Sequence, residues 1–328
     1  MAKSQQKNRR SPLKWVILTV YIVVLAGLVS VLYYHYNLNP KQHFASRNIP
    51  VVSAPASKLA NNTKDEQFNV LLLGSDERNA DQPSRTDSIM VVHVNVATNT
   101  YSVLSIPRDT RINLAGYGET KIAHASYMGG LTGGSSGAMK SILDAVSNLT
   151  GLPINYYAET NYQGLQNMVD AVGGVDVTVP YRITLTHPWY PEDQGKVFDP
   201  GIYHLDGKLA TEVVHERYSL QNGDFGRQET QELVLLAIMK KAMHPSNVSE
   251  LPKLIEAAHG FLINTNMSTQ DMLSLGLALK GLNTNDIHYY QLTGTSIYAT
   301  DPIVKSNLSY FVPDMAQLKA IIEEHFQS

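Results

Sequence analysis

Two aspartates in this chain stand where apolar runs end: Asp76 in LLLGSDER and Asp87 in RTDSIM. Phe68–Leu73 reads as a short buried strand punctuated by Gly74, so Asp76 falls just past its carboxyl end. Open α/β sheets gather ligands at that end. Two carboxylates there could hold Mg2+, which takes one or two carboxylates, several waters and substrate phosphates. A lone aspartate in such a place is more often turn chemistry or a helix cap, so the pair carries the expectation. Arginines share these segments. Arg78, Arg85, Arg108 and Arg111 fall in connections, and Arg217 and Arg227 near a helix end and a helix start. A guanidinium grips phosphate with a two-pronged fork of N–H donors. Loop arginines beside acids therefore suit a phosphate or pyrophosphate, against the plainer alternative of surface ion pairs.

Several other chemistries are excluded. The chain has no cysteine, which removes disulfides, thiolate metal sites and cysteine nucleophiles. GGLTGGSSG at 129–137 leads toward a helix but lacks the Gly-Lys-Ser/Thr ending of a phosphate-binding P-loop, and reads as a flexible lid. His215-Glu216-Arg217-Tyr218-Ser219 is not HExxH, and no GxSxG elbow is present.

The elements that must position these residues follow from punctuation and period. Ser88–Val96 and Tyr101–Ile106 make a hairpin across the turn at 97–100. Ala138–Leu149 has helical spacing with Gly151 as a stop. Asn155–Thr160 is a strand, Tyr162–Val172 a helix and Val175–Val179 a strand ended by Pro180. Helices are expected near Leu205–Tyr218, Arg227–His244, Ser249–Phe261 and Ser268–Leu279, a strand at Ile287–Leu292 and a closing helix at Pro313–Phe326. Strands alternating with helices argue a single layered α/β domain over 67–328, with a mixed central β-sheet flanked by helices. Leu233–Met239 is apolar at every position. It is either a central core helix or the wall of an apolar tunnel, with Met239 and Met243 as adaptable contacts.

The N-terminal region has its own logic. Trp15–Tyr34 carries no charge, and at 1.5 Å per residue a helix of that length spans about 30 Å, a bilayer's hydrocarbon core. Lys3, Lys7, Arg9, Arg10 and Lys14 precede it with no acid among them. Positive charge on that side places 1–14 in the cytoplasm, 15–34 across the membrane, 35–66 outside as a tether, and 67–328 outside as the working domain. The rival, a cleaved signal peptide, has a shorter apolar core of roughly 7–15 residues. The whole chain has a formal charge of -3, and five cations sit in the tail, so the body is more acidic still. That disfavours nucleic-acid binding, which needs a basic surface.

Taken together, seven segments in order resemble the LytR–CpsA–Psr family of Gram-positive cell-wall proteins. They are LLLGSDER (71–78), RTDSIM (85–90), SIPRDT (105–110), KIAHASYMGG (121–130), GGVDVTVP (173–180), LDG (205–207) and GDFGRQETQ (223–231). The resemblance implies a membrane-anchored enzyme acting on a polyprenyl-pyrophosphate-linked glycopolymer, such as teichoic acid, capsular or other wall polysaccharide. It would transfer the polymer phosphate to a peptidoglycan hydroxyl and release polyprenyl phosphate. On the matching positions, Asp76 and Asp87 would hold Mg2+, or Mn2+ in its place, and act with Arg108 in catalysis. Arg85, Arg108, Arg217 and Arg227 would grip the pyrophosphate, with Lys121 and Gln231 as further polar contacts. Two positions depart: His215 and Thr230 stand where the family usually has arginine. His215 is kept as a conditional pyrophosphate ligand. No general base stands out among Asp76, Asp87 and Asp109. The alternatives are a lipid-linked-glycan binder without turnover, a lipid pyrophosphatase using the same site with water, and, least supported, a transcription regulator.

Overall fold

The computed structural model describes residues 38–46, 49–55, 66–76, 83–242, 244, 255, 260–280 and 286–326. The expected membrane helix at 15–34, Arg78, Met243 and most of the expected helix Ser249–Phe261 lie outside the described residues. No helix among the described residues is long and apolar enough to cross a membrane.

In chain order the strands are β1 (Gln67–Ser75), β2 (Thr86–Asn95), β3 (Thr100–Ser105), β4 (Arg111–Leu114), β5 (Gly118–Lys121), β6 (Tyr156–Asn161), β7 (Val175–Val179), β8 (Ile183–Thr184), β9 (Val197–Phe198), β10 (Gly201–Leu205), β11 (Leu262–Thr265), β12 (Ile287–Gln291), β13 (Gly294–Thr300) and β14 (Asn307–Pro313). The helices are α1 (Pro40–Ser46), α2 (His124–Thr150), α3 (Tyr162–Ala171), α4 (Gly207–His215), α5 (Asp224–Ala242), α6 (Thr269–Ala278) and α7 (Met315–His325). A six-stranded sheet runs β11-β6-β1-β2-β3-β12. The β1–β6 and β3–β12 pairs are parallel and the others antiparallel, so the sheet is mixed, as the alternating pattern implies.

The continuous apolar run in β1 has a simple cause. Leu71 and Leu73 pack on one face with Ile89, Leu104 and the inner side of α2, while Phe68 and Val70 pack on the other with Val94, Tyr101 and Phe44 of α1. A strand covered on both faces loses the polar alternation of a half-exposed one. A second core joins α3, α4 and α5 to the β7–β10 ribbon, through Val169, Val177, Val213, Val234 and Ile238.

Two expectations are corrected. The segment expected as a tether holds α1, whose Phe44 ring lies 4.5 Å from Phe68, and Val52–Ser53 bridges to Ile154. Buried apolar area outweighs the loop-like composition there. The glycine-rich stretch is no lid but lies inside α2, kinked at Gly134 with φ 59°. A Cβ on Gly129 would meet the Gly137 carbonyl at 2.3 Å, so glycine permits the two arms of the kink to touch backbone to backbone. The β4–β5 hairpin and the β13–β14 ribbon also form where the sequence shows little strand period.

Candidate functional site

One end of the sheet collects the chemistry. The carboxyl ends of β1, β3 and β6 lie beside the start of antiparallel β2. Asp76 therefore follows β1, Arg108 follows β3, Tyr162 opens α3 directly after β6, and Asp87 is the second residue of β2. Ser75 pairs with Thr86 and Gly74 with Ser88, so Asp87 is the extra residue of a bulge. Bulges re-aim a side chain at a strand end.

Asp87 accepts from Arg108 Nη1 in a close ion pair, and Arg227 Nη2 donates to the Asp87 carbonyl at 3.3 Å. Asp224, the first residue of α5, stands between both arginines, 2.7 Å from Arg227 Nη2 and 3.8 Å from Arg108 Nε. Burial opposes the charge on Arg108, but Asp87, Asp224 and Asp109 outweigh it and hold the guanidinium protonated. The Nε atoms of Arg108 and Arg227 are nonetheless buried without a hydrogen-bond partner. Two unmet cationic donors in one place are what an anion would satisfy. A cavity of about 230 Å³ opens there, lined by Asp87, Arg108, Arg217, Arg227 and His215. Burial, and then Arg227, lower the His215 pKa.

The other expected residues divide. Asp76 Oδ1 accepts from the Arg85 backbone N–H at 2.7 Å, tying the two expected partners together, while the exposed Arg85 guanidinium lies 5.7 Å from the Tyr127 ring centre. Lys121 pairs with Asp109 at 2.6 Å, so both are occupied by each other. Arg111 pairs with Glu119 at 3.2 Å across the β4–β5 hairpin. Thr230 is buried, and its hydroxyl donates to the Arg227 carbonyl at 2.7 Å. Gln231 lines a different cavity.

That cavity, about 170 Å³, is apolar. Leu72, Leu165, Met168, Val234, Leu235 and Ile238 form much of its wall, and Asp87 lines its polar end. Leu72 and Leu235 also line a second apolar cavity of about 190 Å³ with Leu236 and Met239. Within the all-apolar helix, Val234, Ala237 and Ile238 belong to the second core, and Leu235, Leu236 and Met239 line the second apolar cavity.

Two contributors escaped the sequence. Asp224 sits in a quoted motif yet reads as an ordinary helix N-terminal acid. Tyr162 lines the apolar slot; burial, then Asp87, push its phenol up to about 12, with Arg227, Arg108 and Asp76 also acting on it. Nothing in the local sequence marks it.

Residues 33–327 match the LytR_cpsA_psr family. The chain belongs to that family. It is 31% identical over 319 residues to the polyisoprenyl-teichoic acid–peptidoglycan teichoic acid transferase TagU of Bacillus anthracis, covering 94% of this chain and 95% of the relative. Among solved structures, TagV of B. subtilis superposes with a TM-score of 0.66 at 29% identity, over 80% of this chain and 98% of the other. A TagT chain bound to LIIa-WTA gives 0.64 at 26% identity, over 83% and 94%. Family membership agrees with the mixed sheet and flanking helices described above.

Proposed function

We propose that this chain transfers a polyprenyl-pyrophosphate-linked anionic glycopolymer, of the teichoic acid or related wall-polysaccharide class, to a peptidoglycan hydroxyl. The observation that carries this is the position of Asp87. Its side chain lines both the apolar slot and the arginine cavity, so one elongated ligand with a greasy tail and a doubly anionic head spans the two. The names of the relatives support the same substrate class.

The tail would lie along Leu165, Leu235 and Ile238, and the pyrophosphate against Arg108, Arg217 and Arg227. Arg108 and Arg227 would turn their unmet Nε donors on the anionic oxygens, strengthening as charge moves to the leaving phosphate. The acceptor hydroxyl oxygen attacks the phosphorus that bears the polymer, its proton passes to the departing phosphate or to water, the bridging P–O bond breaks, and polyprenyl phosphate departs. Water is kept from the tail side by the apolar wall, and Tyr162, held neutral, adds no competing negative charge. The carboxylate of Asp87 at the cavity and that of Asp76 just past the end of β1 are hard oxygen donors that would suit Mg2+ or Mn2+ completed by substrate phosphate. No cluster of three His, Asp or Glu occurs among the described residues, so phosphate would have to supply part of the coordination. The cation's contribution when bound would be neutralisation of phosphate charge.

The uncharged 15–34 span and the basic tail before it support a single-pass membrane protein with its catalytic domain outside. A C-terminal reporter should be active only outside the cytoplasm; activity inside overturns that topology. For the chemistry, purified chain, polyprenyl-diphosphate-linked glycan and peptidoglycan should give polyprenyl phosphate and polymer-bearing peptidoglycan together. Release of lipid phosphate products without polymer transfer would make the enzyme a pyrophosphatase instead.

A further inference from the structure

A set of aromatic rings stands at and beside the arginine cavity. Trp189 lies in the connection after β8, 38% exposed, its ring 4.1 Å from Tyr162 edge-on and 4.8 Å from His215. Tyr218, 62% exposed, lies 4.4 Å from the His187 ring, and Arg217 Nη2 donates to its hydroxyl at 2.7 Å. His187, His215 and Tyr218 line the same cavity as Arg108 and Arg227.

This aromatic rim is held in place. Two buried carboxylates at the end of α4 and just beyond it anchor the 186–190 connection. Glu212 accepts from the Tyr190 N–H at 2.9 Å, and Glu216 from the Thr186 N–H at 2.6 Å and the Ser219 N–H at 2.9 Å. Both glutamates are almost wholly buried. Buried carboxylates spent on backbone donors fix a loop whose outward face is then aromatic. Rigid, partly exposed rings offer apolar area at low entropic cost, and polar groups beside them give orientation.

We propose that Trp189 and Tyr218 form a stacking platform for a sugar ring adjoining the pyrophosphate. A pyranose has an apolar C–H face and a hydroxyl rim, which suits an exposed indole and phenol beside a cavity lined by His187, His215 and Arg217. The donor's first sugar is bonded directly to the pyrophosphate, so it must emerge beside the arginines, where these rings stand. The proposal rests on the donor reading above and names the part of the donor these residues select. An alternative occupant of exposed Trp and Tyr is a membrane interface. The polar lining of the cavity that Tyr218 shares with His187 and Arg217 favours the sugar.

The chain contains two tryptophans, Trp15 and Trp189, so a Trp15→Phe chain reports on Trp189 alone. Three probes would be titrated: polyprenyl diphosphate, polyprenyl diphosphate bearing one hexopyranose, and a soluble peptidoglycan disaccharide. Trp189 emission should shift with the sugar-bearing lipid and not with the bare one, and the sugar should tighten binding several-fold, up to about tenfold. Trp189→Ala should erase that difference while leaving the affinity for polyprenyl diphosphate unchanged, and Trp189→Phe should keep most of it. A response to the disaccharide alone assigns the platform to the acceptor sugar and overturns the donor placement. Equal weakening of both lipids by Trp189→Ala, or loss in that variant of binding to phospholipid vesicles that contain no polyprenyl diphosphate, overturns the sugar platform while the donor reading stands. If the unsubstituted chain binds neither lipid pyrophosphate, both fall.

Discussion

Arg108 and Asp87 form an ion pair at the juncture of an apolar slot and a cationic cavity, and the pair is only partly shielded from water. Each needs the other in the free protein. Arg108 is the charge that neutralises a carboxylate aimed inward by a bulge, and Asp87 helps hold Arg108 charged against its own burial. An incoming pyrophosphate would take over the arginine's donors and leave Asp87 available to a cation.

Arg108→Ala should lower transfer at least about 100-fold, the scale seen when a preorganised donor to developing charge is removed. Asp87 would be left without its partner, so thermal stability should fall modestly. Steady-state turnover with a melting curve checks this; near-normal turnover in a folded variant would remove Arg108 from the reaction.

Asp76→Ala and Asp87→Ala should each abolish the dependence of transfer on added Mg2+ or Mn2+. Chelation of the unsubstituted chain should stop transfer reversibly. If both variants keep normal, metal-stimulated rates, the cation is held elsewhere.

Leu235→Trp should fill space shared by the two apolar cavities. Binding of long-chain polyprenyl diphosphate should weaken tenfold or more, while a short-chain diphosphate that reaches only the arginines should be little affected. A variant that binds both as before would place the tail outside this slot.

His215 faces the cavity with its pKa lowered by burial and then by Arg227, so in the free protein it is neutral at pH 7. A bound pyrophosphate raises that pKa. Binding should therefore strengthen as pH falls below neutrality, since the bound form takes up a proton that the free form holds less readily. His215→Arg should bind tightly and His215→Gln weakly, each without the steep slope. One shared pH profile for all three would show that His215 does not meet the pyrophosphate.

Glu232 borders the second apolar cavity, and burial, then Glu229, raise its pKa to about 7. A carboxyl with a raised folded pKa is favoured when protonated. Its contribution is full below the unfolded value of about 4.3 and declines as pH rises to about 7 and beyond. Melting temperature should thus fall between pH 5.5 and 8, and Glu232→Gln should flatten that fall. An unchanged slope in the variant would assign the pH dependence to other groups.

Much of the scaffold was legible in the sequence because its signals are local. The run into Gly74, the hairpin before Arg108 and the Val175–Val179 strand are set by residue type, period and punctuation, and they recur at nearly those bounds. The motif order over 71–231 also carried the family. Other features depend on contacts between distant segments. Phe44 docks a helix in a stretch that reads as linker because Phe68 and Tyr156 offer it a covered surface. Gly129 and Gly137 look like a loop until two arms of a helix require backbone contact.

The site divides along the same line. Sequence alone determined that Asp76, Asp87 and Arg108 sit at strand ends, since strand termini are written in apolar runs and turn residues. Only the tertiary structure decided that Asp224 joins Arg108 and Arg227 in one charged cluster, that Tyr162 lines the apolar slot, and that Tyr218 lines the cavity while Trp189 packs against His215. Tyr162, Trp189, Tyr218, Asp224 and Arg227 lie 75 or more positions from Asp87, and their joint chemistry exists only once the sheet end, α3, α4 and α5 are packed together.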